Sequence, residues 1–245
     1  MPVIALQGIR GGVGTTSITA GLSWALHQLG ERVLVIDFSP DNQLRLHFNT
    51  PLSLTAGWAR AELDERPWHQ EALRYDDGLD FLPFGQLPAG EYPRWLTMHQ
   101  QAPGRWATYL RQLCDSGDYS WLLLDLPSAG SAGTEEWLAA ADAVFCVLTA
   151  DANSHIRLYQ QSFPPGARLL LNQLSAESRL QLDLQQYWRQ HLDALLPVSV
   201  HRDEAMAEAL AVKQPVGEYS AISLAADELN VLAGWCLAHV TGTRR

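Results

Sequence analysis

The sequence predicts an α/β chain built on a doubly wound, mainly parallel sheet with helices on both faces, and three observations predict it. A short apolar run at residues 3–6 leads through a glycine-rich turn into a helical pattern. Residues 32–38 (RVLVIDF) form a nearly unbroken apolar run, as expected for a strand buried on both faces of a parallel sheet. Further runs of this kind recur at residues 79–83, 121–126, 143–148, 168–171 and 196–200, with helical patterns between most of them.

Taken in order, residues 17–29 carry Ile18, Leu22, Leu26 and Leu29 at helical spacing, and Gly30 supplies a stop. Residues 3–38 therefore read as one βαβ unit. Residues 50–118 are less regular and rich in tryptophan (Trp58, Trp68, Trp95, Trp106), which suits either core packing or a partner surface. No internal repeat or low-complexity linker interrupts them. In open α/β sheets ligands bind beyond the carboxyl ends of the strands. The notable polar stretches, residues 8–17, 37–43 and 125–128 together with Asn172, fall at such ends, so several strands point to one site.

Composition bounds the rest. At 245 residues and 47% apolar content the chain can bury one large core, and a single domain over 1–245 is expected. No stretch approaches the roughly 18 apolar residues of a spanning helix, and the start lacks a basic leader, so a cytoplasmic location is expected. The formal charge of -10, with Lys213 as the only lysine, argues against nucleic acid as a partner. Cys114, Cys146 and Cys236 are widely spaced in apolar or helical contexts, which fits reduced core thiols. The last helical pattern ends near Val240 and only residues 241–245 follow it, so no basic amphipathic extension, and no direct membrane insertion, is expected.

The chemistry concentrates in Gly8-Ile9-Arg10-Gly11-Gly12-Val13-Gly14-Thr15-Thr16-Ser17. Between a buried strand and a helix start, the N–H groups of such a loop form an anion cradle with the helix dipole behind them. A strict phosphate-loop pattern is broken, because Ile9 stands where its first glycine belongs and Thr15 where its lysine belongs. The segment RGGVGTTS resembles instead the deviant phosphate loop of the ParA/MinD family of nucleotide-binding proteins, K-G-G-x-G-K-[ST]-[ST]. Arg10 occupies the signature-lysine place, Gly11, Gly12 and Gly14 match around Val13, Thr15 replaces the loop lysine, and Thr16 and Ser17 follow.

Other segments extend the resemblance over almost the whole chain. VIDFSPDNQ at residues 35–43 resembles the family's first switch, with Asp37 retained and Ser39 at the place of the catalytic aspartate. LLLDLPSAG at residues 122–130 resembles the Walker B strand and second switch, which places Asp125 near a metal and Pro127 beside the γ-phosphate. The segment from His201 to the last helical pattern resembles the family's closing segment. Membership implies ATP and Mg²⁺ as cofactors, a homodimer closed through ATP, and Asn172 as the reader of adenine. Asn172-Gln173-Leu174-Ser175 has no acid where a guanine site would need one, which favours ATP over GTP.

The departures bear on the chemistry. Thr15 offers a hydroxyl and an N–H in place of a cation. Arg10, always charged and fork-shaped, could hold a phosphate in its own subunit or across a dimer, so nucleotide binding is expected to survive. Hydrolysis needs an oriented water, and Ser39 is a poor substitute for a carboxylate. Asp41 could recruit that water, or it is a solvated turn residue beside Pro40. Turnover is expected to be slow or partner-dependent. Thr16, with Asp37 and Asp125 nearby, is a sensible oxygen set for Mg²⁺.

Within the family, the combination of RGGVGTTS, DFSPDNQLRLHFN and DLPSAG is similar to BcsQ-type proteins of enterobacterial cellulose operons. That likeness implies a cytoplasmic ATP-binding accessory of cellulose synthesis and biofilm formation, which assembles or activates the inner-membrane cellulose synthase. It also implies small cytosolic Bcs regulatory subunits as partners, with positioning at the synthase or the cell pole. An ATP-gated scaffold and a cycling ATPase that positions cargo both remain open.

Overall fold

The computed structural model describes residues 1–131 and 133–240, and among these the apolar runs become strands of one sheet. They are β1 (Val3–Gly8), β2 (Val33–Asp37), β3 (Leu73–Asp76), β4 (Leu79–Leu82), β5 (Trp121–Leu126), β6 (Ala143–Thr149), β7 (Arg168–Leu174) and β8 (Leu195–His201). Every residue of β1, β2 and β5 is buried, which explains why these segments carry no polar alternation. The sheet order is β3-β4-β2-β5-β1-β6-β7-β8, parallel throughout except for the antiparallel edge hairpin of β3 and β4.

The helices are α1 (Thr15–Gln28), α2 (Trp58–Leu63), α3 (Tyr92–Gln100), α4 (Arg105–Ser116), α5 (Glu135–Ala140), α6 (Ala152–Gln160), α7 (Arg179–His191), α8 (Glu204–Ala211), α9 (Val216–Tyr219) and α10 (Leu224–His239). The chain moves from β1 to β2 in one direction across the sheet and from β5 to β6 in the other. Right-handed crossovers in opposite directions place α1 and α5 on opposite faces. Helices α9 and α10 pack on α1, and α4 packs on α5, so both faces are covered. The doubly wound class holds. No helix of the described residues is long and apolar enough to cross a membrane. Residues 241–245, on which the expectation about a membrane-binding extension rests, lie outside the described residues.

The tryptophans of the irregular segment are core. Trp58, Trp95 and Trp106 are fully buried, and Trp68 packs against Trp106 from the rim. Phe38, the residue after β2, sits among them, with ring centroids 4.6 Å from Trp106, 4.3 Å from Trp137 and 5.4 Å from Trp58. The Trp58 indole N–H donates to the Asp37 carbonyl at 2.7 Å. The aromatic cluster thus buttresses the end of the strand that delivers Asp37 to the site.

Candidate functional site

The carboxyl ends of β1, β2 and β5 open onto a cleft of about 450 Å³, floored by the loop from β1 into α1 and walled by the turns after β2 and β5. Two glycines shape the floor. A Cβ on Gly8 would stand 2.6 Å from Thr15 Oγ1 and 2.8 Å from the Arg10 carbonyl. Gly14 adopts φ 85, in the left-handed region that favours glycine, and a Cβ there would meet Asn172 Nδ2 at 2.5 Å. Among the described residues, the N–H groups of Gly11, Gly12 and Gly14 have no protein acceptor. They stand at the N-terminus of α1, which favours negative charge. The arrangement fits a phosphate group.

Beneath the cleft lie two carboxylates. Asp37 and Asp125 are register partners on adjacent strands and are buried. Asp125 Oδ2 accepts from Thr16 Oγ1 at 2.8 Å, and its Oδ1 from Thr19 Oγ1 at 3.2 Å. Asp37 accepts from the N–H groups of Ser39 at 2.8 Å and Leu44 at 3.2 Å. Burial pushes the Asp125 carboxyl up to about 7, against the lowering effect of the Thr16 and Thr19 hydroxyls. Burial, and next the Asp125 charge, hold Asp37 well above the usual carboxylate range. Two buried, adjoining carboxylates with a hydroxyl at the cleft floor suit a hard divalent cation, which would restore both to their charged forms.

The same shift sets a stability trend for the metal-free protein. Between pH about 4 and 7 the unfolded chain has lost the Asp125 proton that the folded chain keeps, so stability falls as pH rises through that window. The loss is on the order of a few kcal/mol. Denaturant unfolding in chelator from pH 5 to 8 should show the native chain losing stability relative to Asp125→Asn as pH rises, a difference that sets aside the opposing contribution of buried His47 and that of Asp37.

Arg10 makes an ion pair within its own chain. Its Nη2 donates to Asp151 Oδ2 at 2.7 Å and to Thr149 Oγ1 at 3.1 Å, while Nη1 donates to the Gly11 carbonyl at 3.0 Å. Its Nε is buried without a partner. The pair is about a third exposed, so it contributes little, roughly 0–1 kcal/mol. Asp151 also caps α6 through Ser154 N, and its carboxyl is lowered to about 2 by hydrogen bonds from Thr149, Ser154 and Arg10, which outweigh its partial burial.

The predicted residues divide into three groups. Arg10, Gly11, Gly12, Gly14, Thr15, Thr16, Ser17, Asp41 and Pro127 line the cleft. Asp37, Asp125 and the Val13 side chain are buried below it, so Val13 lends the loop only its backbone. Asn172 stands on the far side of the loop and donates from Nδ2 to the Val13 carbonyl at 2.7 Å. Asp41 is exposed, and its N–H meets Ser39 Oγ at 3.4 Å. Pro127 is fixed through its carbonyl, which accepts from Gln7 Nε2 at 3.1 Å.

Sequence reasoning missed Thr19, His47, Thr149 and Asp151. Thr19 lies one helical turn beyond Thr16, a spacing that brings both hydroxyls to one face. His47 lies 3.5 Å from Ser17 Oγ and is pushed down to about 4 by burial, so it faces the cleft uncharged.

The family model described as "Cellulose biosynthesis protein BcsQ" matches residues 1–237. The chain belongs to the BcsQ family. A relative in Salmonella typhimurium (strain LT2), "Cellulose biosynthesis protein BcsQ", is 50% identical over 244 residues, spanning 100% of this chain and 97% of its own. Among solved structures, the MinC:MinD cell division protein complex of Aquifex aeolicus matches with a TM-score of 0.77 at 17% identity, covering 100% of this chain and 99% of that one. MinD of Pyrococcus horikoshii OT3, complexed with Mg-ADP, matches with a TM-score of 0.75 at 17% identity, with 99% of each chain covered. At such identities the likeness to MinD is one of fold.

Proposed function

We propose that this member of the BcsQ family is an ATP-binding accessory of bacterial cellulose synthesis, acting as a homodimer closed through ATP that assembles or activates the inner-membrane synthase. One observation carries the nucleotide reading: the unpaired N–H groups of Gly11, Gly12 and Gly14 at the N-terminus of α1 form an anion cradle. Family membership supplies the cellulose context. The small cytosolic Bcs subunits are the proposed partners, and the location is cytoplasmic with recruitment to the synthase or cell pole.

The residues have distinct parts. The loop from Arg10 to Ser17 holds the phosphates, with Thr15 contributing a hydroxyl and an N–H in place of a cation. Thr16, above Asp125 and Asp37, holds Mg²⁺, which when bound neutralises phosphate charge. Pro127 borders the terminal phosphate. Asn172, its Nδ2 spent on Val13, offers Oδ1 to the amino group of adenine. Arg10 gives up Asp151 for phosphate, either in its own subunit or in the partner's, as the ion pair is weak enough to exchange.

Hydrolysis is slow in this reading, because Ser39 brings no carboxylate to the cleft and Asp41 is turned to solvent. The alternative, a cycling ATPase that positions cargo, is favoured by one observation: Asp41 lines the same cleft. Steady-state phosphate release separates the two. Slow release that rises at least about tenfold in Ser39→Asp supports the scaffold, since a positioned base contributes roughly 10²–10⁴-fold. Fast native release, lost in Asp41→Asn, establishes the cycling ATPase instead.

A further inference from the structure

Beyond the phosphate cleft, the ends of β7 and β8 enclose a second pocket of about 380 Å³ that adjoins it through Gly14 and Ser17. Its walls include Asn172, Gln173, His201 and Asp203. Gln173 takes φ 56 where the register between β7 and β8 shifts, which brings these side chains to the mouth of the loop.

His201 is held there with unusual firmness. One carboxylate, Glu228 on α10, accepts from both its backbone N–H (Oε2, 2.7 Å) and its ring Nδ1 (Oε1, 2.5 Å). A carboxylate accepts and does not donate, so Nδ1 carries the hydrogen and Nε2 of the neutral ring is an acceptor. Among the described residues no protein donor reaches Nε2. Asn172, with Nδ2 committed to Val13, likewise presents an acceptor, Oδ1. The pocket's Asp203 is fixed to the backbone, accepting from the N–H groups of Ala205 at 2.9 Å (Oδ1) and Ala225 at 3.0 Å (Oδ2).

We infer that His201 is a specificity-determining residue, with Glu228 as its positioning residue. Its Nε2 and Asn172 Oδ1 accept the two hydrogens of the exocyclic amine of adenine, and they repel the O6 of a 6-oxopurine. This inference rests on the nucleotide reading above and deepens it.

The test compares ATP with inosine triphosphate, which differs at that position in carrying an oxygen for the amine. Affinities are measured by calorimetry at mildly alkaline pH for the native chain, Glu228→Gln, His201→Phe and His201→Ala. The native chain should prefer ATP by at least about tenfold. In Glu228→Gln the new amide can donate to Nδ1, which moves the ring hydrogen to Nε2 and turns the acceptor into a donor. The preference should then fall several-fold, chiefly through tighter binding of the inosine nucleotide. His201→Phe keeps a ring without an acceptor and should lose the preference through weaker ATP binding. It also serves if Glu228→Gln fails to fold. An unchanged preference in the His201 variants, or no preference in the native chain, overturns this inference and leaves ATP binding standing. Failure of the native chain to bind either nucleotide overturns the nucleotide reading itself.

Discussion

Gly14→Ala should lower ATP affinity at least about 30-fold while the chain stays folded. Two costs add at one atom. The left-handed backbone at φ 85 disfavours any Cβ by roughly 1–2 kcal/mol. The new methyl would also stand 2.5 Å from Asn172 Nδ2, so either that buried amide or the loop must shift. Displacing that amide breaks its bond to the Val13 carbonyl, and an unsatisfied buried group costs about 1–3 kcal/mol. If the loop shifts instead, the N–H cradle loses its shape, and if the amide shifts, the loop loses the bond that holds Val13. Calorimetric titration of ATP checks the affinity, and a thermal melt of the same sample checks the fold. Native-like affinity in a folded Gly14→Ala chain would mean that phosphates do not sit on this loop.

Trp58→Ala should destabilise the fold by roughly 3–5 kcal/mol, the range for removing a buried large aromatic side chain. Trp58 is fully buried and contacts Phe38, Phe84, Trp95, Trp106 and Trp137. It also supplies the hydrogen bond to the Asp37 carbonyl. Trp58→Phe keeps most of the ring contacts and loses that bond, so about 1–2 kcal/mol is expected. Denaturant unfolding measures both. The Phe variant carries the functional question: if the cluster fixes the end of β2, it should weaken Mg²⁺-dependent ATP binding more than its stability loss alone explains.

Most of the sheet was legible as apolar runs, because strands buried on both faces have no polar alternation to confuse with anything else. Strand β3 was not, since Leu73–Asp76 is a four-residue edge strand whose exposure alternates and whose sequence, LRYD, carries little hydropathy signal. The role of the tryptophans was equally hidden. Composition does not distinguish a core aromatic from a partner surface, and only the convergence of α2, α4 and α5 on Phe38 decides it.

The phosphate loop was readable because glycine at Gly14 has a backbone reason that sequence preserves. The partner of Arg10 was not. Asp151 lies 141 positions away, and it reaches Arg10 because β6 is the neighbour of β1 in the sheet. The clamp of His201 by Glu228 is hidden for a related reason, as it depends on how α10 returns across the end of β8. Asp37 and Asp125 were legible as strand-end acids. Their adjacency, and the raised carboxyls that follow from it, required the β2–β5 register.

Nucleotide-dependent dimerisation tests the central claim most directly. Light scattering is run with ATP, a non-hydrolysable analogue, ADP and no ligand, for the native chain and for Arg10→Ala, with phosphate release followed in parallel. The account predicts a dimer with both triphosphates that persists without phosphate release, a monomer with ADP or no ligand, and a dimer at least about tenfold weaker in Arg10→Ala. A native chain that stays monomeric under every one of these conditions would contradict it.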